Sequence, residues 1–281
     1  MAHIDTVYNG MVETLLREGF RYADKSRANI GMLEIPHYVL DIDITQGFPL
    51  LTTKKIYWKS FIHELIWMLA GADNIDYLQE NGVKIWDQDA YNFSGGSYVG
   101  RIYGAQWRSW GDDPLAGDQI TKLIKGINRG DLYNRRQIVT AWNPAELDHM
   151  ALPPCHWAFQ VFPTNLGFGI KWMQRSCDAF LGIPFDIGLY AALGKLIENE
   201  TDIPFTRLIG DLTCVHLYEP HIPLAEMQIA RPPIVNEAKL KIYGGGLFNP
   251  ARPDNLSINN FRVTDYLHHE PIKAKMYAKV Q

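Results

Sequence analysis

The sequence predicts an α+β protein. Helix-period and strand-like runs both occur along the chain. They do not follow a regular βαβ alternation. No repeat, linker or low-complexity tract divides them, so residues 1–281 read as a single domain.

The elements follow from residue order. Ile4, Val7, Tyr8, Met11 and Leu15 recur at helical spacing, and Gly19 offers a stop. Met32–Ile44 is rich in β-branched and apolar residues and reads as strand. Phe61–Leu69 reads as a buried helix. Arg136–Trp142, Trp157–Phe162 and Gly167–Met173 read as strands. Ile187, Tyr190, Ala191, Gly194 and Ile197 share one face of a core helix over 187–197. Strands are expected around Thr213–Tyr218 and Leu240–Tyr243.

Composition narrows the class. The net charge of −4 and 47% hydrophobic content suit a globular chain and exclude a disordered, collagen-like or coiled-coil one. The mildly acidic balance speaks against a nucleic-acid coat, and no nucleic-acid partner is expected. Cys155, Cys177 and Cys214 are too few for a disulfide framework, so a reducing cytoplasm is expected. No Cys/His cluster has zinc spacing, so no metal is expected. The longest apolar stretch, near Phe61–Ala72, contains His63 and Glu64 and is too short to cross a bilayer. The N-terminus lacks a signal-peptide pattern, and no membrane partner is expected.

Five groups could carry chemistry. Cys155 in Pro153-Pro154-Cys155-His156 is a candidate nucleophile, or a buried structural cysteine. Gln174-Arg175-Ser176-Cys177-Asp178 places a cation, a hydroxyl and an acid at a strand end. Arg135 and Arg136 suit a phosphate dianion, or form a solvated surface pair. His216 and Tyr218 lie two apart on a strand and so face one side, able to reach a sugar hydroxyl or to serve the core. Glu64 sits in an apolar helix, where a carboxylate is costly unless paired or functional.

Six stretches in order carry a resemblance: GFPLLTTKK (47–55), HELIWMLAG (63–71), NRRQIVTAWNPAEL (134–147), ALPPCHW (151–157), QRSCDAFLGIPFDI (174–187) and HLYEPHI (216–222). From about residue 20 onward the chain resembles the thymidylate synthase family. The resemblance implies a large mixed β-sheet packed by helices, with a sheet face at a dimer interface. It implies 5,10-methylenetetrahydrofolate as cofactor and a pyrimidine nucleoside monophosphate as substrate. Cys155 would add to C6 of the pyrimidine, with Arg175 favouring its thiolate. Glu64 would act with ordered water in the proton transfers, and Tyr103 in YGAQWR would support that network. The phosphate would lie among Arg27, Arg175, Ser176 and the pair Arg135 and Arg136, the pair reaching in from the other subunit of a homodimer. His216 and Tyr218 would hold the 3′-hydroxyl. Trp86, Leu152, Asp178, Gly182, Phe185 and the C-terminal tail would contact the folate, and Lys54 its glutamate end.

One departure bears on the substrate. Family members acting on deoxyuridylate read PFN where this chain reads Pro184-Phe185-Asp186. Uracil offers an N3–H donor and an O4 acceptor, which an Asn amide matches. Cytosine offers an N3 acceptor and an N4 donor, which a carboxyl group matches. The cytidylate-using family members, the phage deoxycytidylate hydroxymethylases, resemble this chain in carrying Asp there. The expected activity is therefore C5 methylation of deoxycytidylate through a Cys155–C6 adduct. The alternatives are the dCMP or CMP 5-hydroxymethylase, in which water traps the same intermediate, and ordinary thymidylate synthase acting on dUMP. A phage-encoded enzyme in a host cytoplasm would fit a cytidylate-modifying role. Asp89 replaces a family tryptophan, Leu189 a usual Ser, and GDLTCVHLY stands where the family usually reads GD, one residue, then HLY. The tail also runs longer than the family's usual ending.

Overall fold

The computed structural model describes residues 3–24, 30–111, 117–235, 237–249 and 255–277. Helix α1 (Ile4–Glu18) leads into strands β1 (Phe20–Asp24) and β2 (Ile30–Asp43). Helices α2 (Trp58–Ala70), α3 (Asp76–Glu80), α4 (Asp87–Ser94), α5 (Tyr103–Arg108) and α6 (Gln119–Asn128) follow. Then come β3 (Ile138–Thr140), β4 (His156–Thr164), β5 (Gly167–Gln174) and β6 (Cys177–Asp178). Helix α7 (Gly182–Thr201), β7 (Phe205–Tyr218), α8 (Ile222–Ile229), β8 (Lys239–Ile242) and β9 (Phe261–Thr264) complete the described elements.

The main sheet has seven strands in the order β1-β2-β7-β5-β4-β3, with β6 also paired to β7. Most pairs are antiparallel, but β5 and β6 run parallel to β7, so the sheet is mixed. Helices cover one face. Tyr8, Met11 and Leu15 of α1 are fully buried with Leu208 and Leu212 of β7 in the core. Helix α7 crosses α2 closely because Gly188 has no side chain. A Cβ there would lie 2.5 Å from the Phe61 ring.

The alternation of the central strands changes phase midway. On β7, Leu208 and Leu212 belong to the core; beyond Cys214, Val215 and Leu217 do. On β2 the core residues change from Leu33 and Ile35 to Leu40 and Ile42. Strict alternation would keep one parity throughout. The two strands slip together around Pro36 and Cys214, so their pairing holds on both sides. Cys214 carries the strain, with φ +53 on a non-glycine residue. The β5–β6 edge slips likewise: Trp172 and then Cys177 are core residues. The consequence is functional geometry. Asp178, His216 and Glu34, adjacent across β6, β7 and β2, all turn away from the core.

The sequence-predicted elements are present with changed bounds. The strand expected over Arg136–Trp142 is only Ile138–Thr140. Asn134 Oδ1 accepts from the Arg136 amide and Thr140 Oγ1 from the Trp142 amide, turning the chain at both ends. Strand β7 begins at Phe205, eight residues before the expected start.

Candidate active site

The Cys155 turn is built by Arg175. Its Nε donates to Pro154 O at 3.0 Å, its Nη2 to Pro153 O at 2.6 Å, and its backbone amide to Cys155 O at 2.9 Å. The guanidinium thus braces the turn that presents the thiol. From the other side, the Cys155 amide donates to Tyr103 Oη at 2.9 Å. Tyr103 has φ +29, a strained backbone for an aromatic residue. The close approach of α5 to α2 holds it there: a Cβ on Gly104 would lie 1.9 Å from Met68 O. Burial beside Cys155 pushes the Tyr103 hydroxyl well above its ordinary range, so it stays protonated.

Behind Tyr103 lies an aromatic stack. His156 packs 4.3 Å from its ring, and His156 Nδ1 lies 2.9 Å from Tyr190 Oη. Burial lowers the His156 pKa to about 3, so the ring is neutral. It is packing beneath the nucleophile and no acid or base at neutral pH.

Two carboxyl groups share the cleft. Glu64 on α2 accepts from Trp86 Nε1 at 2.9 Å. Burial raises its pKa to about 7, against the pull of that hydrogen bond. Asp186 on α7 is raised to about 7, again chiefly by burial, with Glu64 and Asp178 adding repulsion and Gln174 opposing. Carboxyl groups poised near neutrality suit proton transfer.

Sequence alone gives Gln174 no role. Trp172 Nε1 donates to its Oε1 at 3.0 Å, which fixes the amide's orientation. Its Nε2 then donates to Ser176 O at 3.1 Å and to Asp186 Oδ2 at 2.9 Å. Asp186 Oδ2 is thereby committed as an acceptor, and a proton on the neutral acid belongs on Oδ1.

The remaining predicted residues divide. Asp178 Oδ1 accepts from the amides of Phe180 and Leu181, shaping the turn into α7. His216 and Tyr218 lie together, rings 5.3 Å apart and edge to face. Arg135 and Arg136 are exposed beside β3, with Arg135 O accepting from Gln160. Gln160 is five residues along β4 from Cys155, roughly 16 Å at strand rise, so the pair is not gathered at its own chain's thiol. Arg27 lies outside the described residues. Asp211, the acid of the altered GDLTCVHLY stretch, pairs with Lys171 and His37 away from the cleft.

Leu152, Gly182 and Phe185 are half-buried, and Phe185 meets Phe61 edge to face. A Cβ on Gly182 would stand 3.8 Å from Asp186 Oδ2, so its absence leaves room for a flat ring beside the acid. This wall suits a pterin-like group. Two other expected folate contacts lie deeper. Trp86 is 6% exposed, its indole N–H spent on Glu64. Lys54 is buried with its ammonium against the Phe180 carbonyl and ring, and burial lowers its pKa to about 7. The cations at the surface near it are Lys55 and Lys59, beside Tyr57 and Trp58.

The thymidylate synthase family model matches residues 6–278. A thymidylate synthase of Wigglesworthia glossinidia brevipalpis is 37% identical over 269 residues, 95% of this chain and 97% of that protein. The chain belongs to the thymidylate synthase family. It is accordingly a one-carbon transferase acting at C5 of a pyrimidine nucleotide, and 5,10-methylenetetrahydrofolate is the family's one-carbon donor. Among the described residues, no helix is long and apolar enough to cross a membrane.

Proposed function

We propose that the nucleotide is deoxycytidylate and the product 5-methyldeoxycytidylate. The observation that carries this is the orientation of Asp186 by Gln174. With Oδ2 occupied by the Gln174 amide, a neutral Asp186 offers O–H from Oδ1 to cytosine N3 and can still accept from N4. An amide at 186 would give its oxygen to Gln174 and turn its NH₂ to the base. That donor suits uracil O4 and opposes a cytosine amine. A desolvated site matched to one pattern rejects the other strongly.

Cys155 Sγ attacks C6, and the proton received at N3 from Asp186 lets the ring accept the electron pair. C5 then becomes the carbon nucleophile. Bound methylenetetrahydrofolate supplies the one-carbon unit, and Leu152, Gly182 and Phe185 would flank its ring. Glu64, ionised near neutrality, takes up the C5 proton through water. Tyr103 holds the Cys155 amide, and Arg175 with Ser176 faces the phosphate. Burial of Trp86, hydrogen-bonded to Glu64, favours reduction of the C5 substituent over capture by water. Arg135 and Arg136, exposed and remote from their own thiol, would complete the phosphate site from the second copy of a homodimer.

Product mass after incubation with methylenetetrahydrofolate and dCMP, CMP or dUMP tests this. A dCMP product one methyl heavier, with dihydrofolate formed, is expected. A hydroxymethyl product without dihydrofolate would replace the methyl outcome, and turnover of dUMP alone would overturn the reading of Asp186.

A further inference from the structure

We infer that Glu34, held by Tyr22, and the strained Cys214 together form a support that orients His216 toward the sugar hydroxyl. This rests on the reading of His216 and Tyr218 as the sugar-binding pair. Glu34 is a positioning residue here, since it acts through His216.

Glu34 is only 8% exposed. A carboxylate so placed is costly without partners. Tyr22 Oη donates to its Oε2 at 2.6 Å. In the β2–β7 ladder, Glu34 stands directly opposite His216. The phase slip has turned both away from the core, so the two side chains share a face and lie beside one another. Asp178 flanks His216 on its other side, through the β6 pairing.

Cys214 links the pair. Its thiol lies against Glu34, whose charge adds to burial in raising the thiol pKa, while Arg175 opposes. Its carbonyl, set by the φ of +53, lies 2.9 Å from His216 Nδ1. A carbonyl can only accept, so Nδ1 carries the hydrogen. That tautomer leaves Nε2 as the acceptor. Tyr218 braces the ring from the side. The geometry therefore assigns directions: the sugar hydroxyl donates to His216 Nε2. Loosening Glu34 frees the strand at Cys214 and lets the imidazole turn.

The test compares two substrates on the full-length protein. One is the deoxynucleotide the wild type turns over. The other is its 3′-deoxy analogue. The wild type should favour the 3′-hydroxyl by about 10- to 100-fold in kcat/KM, as for a lost buried hydrogen bond. Glu34→Gln should reduce that preference about tenfold, mostly through KM. Tyr22→Phe, at a ring 40% exposed, should reduce it about two- to threefold. A wild type indifferent to the 3′-hydroxyl overturns the sugar-pair reading and the inference with it. A wild type that discriminates, with both variants discriminating equally well, overturns the support alone. A purely structural role for Glu34 would lower both substrates together. If Glu34→Gln does not fold, the same ratio in Tyr22→Phe decides.

Discussion

Asp186 and Asp211 are the same residue in opposite settings. Asp186 faces the cleft with one amide donor, and burial lifts its pKa to about 7. Asp211 sits on the other face of the sheet between Lys171 and His37, whose hydrogen bonds lower its pKa despite partial burial. Glu64 and Asp186 have no ion pair among the described residues, whereas on the outer face Asp211 pairs with Lys171 and Asp41 with Arg207. Desolvation without a counter-charge makes an acid a proton carrier; desolvation with one makes it a fixed charge.

The largest expected effect breaks the cleft at its centre. Cys155→Ala should lower C5 hydrogen exchange and turnover at least about 10⁴-fold, as for loss of a nucleophile. Exchange measured by tritium release checks this; persisting exchange removes Cys155 from that role. Next is Gly104→Ala. Its Cβ would meet Met68 O at 1.9 Å, so α5 must move off α2. A loss of about 3 kcal/mol or more is expected in urea denaturation, with the Glu64 pocket opening to water.

The pH dependence sharpens the contrast. Neutral Asp186 and ionised Glu64 are both needed, so kcat/KM for dCMP should be bell-shaped around pH 7. Asp186→Asn should remove the alkaline limb. Stability follows the same shifts. Between the ordinary carboxylate values near 4 and the folded values near 7, the native chain holds more protons than the unfolded one. These two groups therefore make stability fall as pH rises from about 4 to about 7, with no further change above. Asp211 works in reverse: its contribution is present above its ordinary value of 3.8 and is lost as pH falls through its lowered folded pKa. Asp211→Asn should cost less than about 1 kcal/mol at pH 7, because its partners are partly solvated. A thermal scan across pH that showed the two variants behaving alike would contradict the distinction.

Long periodic elements were legible in sequence. Helix α1 announces itself by Tyr8, Met11 and Leu15, and β5 by its apolar run. The early part of β7 was not, because Gly210 and Asp211 interrupt its pattern. Strand β1 was missed as well, since Phe20 and Tyr22 are exposed and leave no apolar-in alternation to read. Residue types were legible, and some proximities with them: Arg175 lies on the Cys155 turn, Glu64 within electrostatic reach of Asp186, and His216 against Tyr218. What was hidden is how they are held. No local pattern shows that Arg175 grips the Pro153 and Pro154 carbonyls, or that Trp172 fixes Gln174 on Asp186. The phase change at Cys214 is equally silent, because a positive φ on cysteine has no composition cue. Lys54, expected at the folate's glutamate end, has its stem and ammonium buried over Phe180, which no local pattern announces.

The most direct test of the account is the ratio of kcat/KM for dCMP to that for dUMP, in the wild type and in Asp186→Asn. The account predicts a wild-type ratio well above one, and a fall of at least about a hundredfold in the variant, as when a buried hydrogen-bond pattern is reversed. A ratio below one in the wild type, or one that Asp186→Asn leaves unchanged, would contradict the claim that Asp186 reads the base.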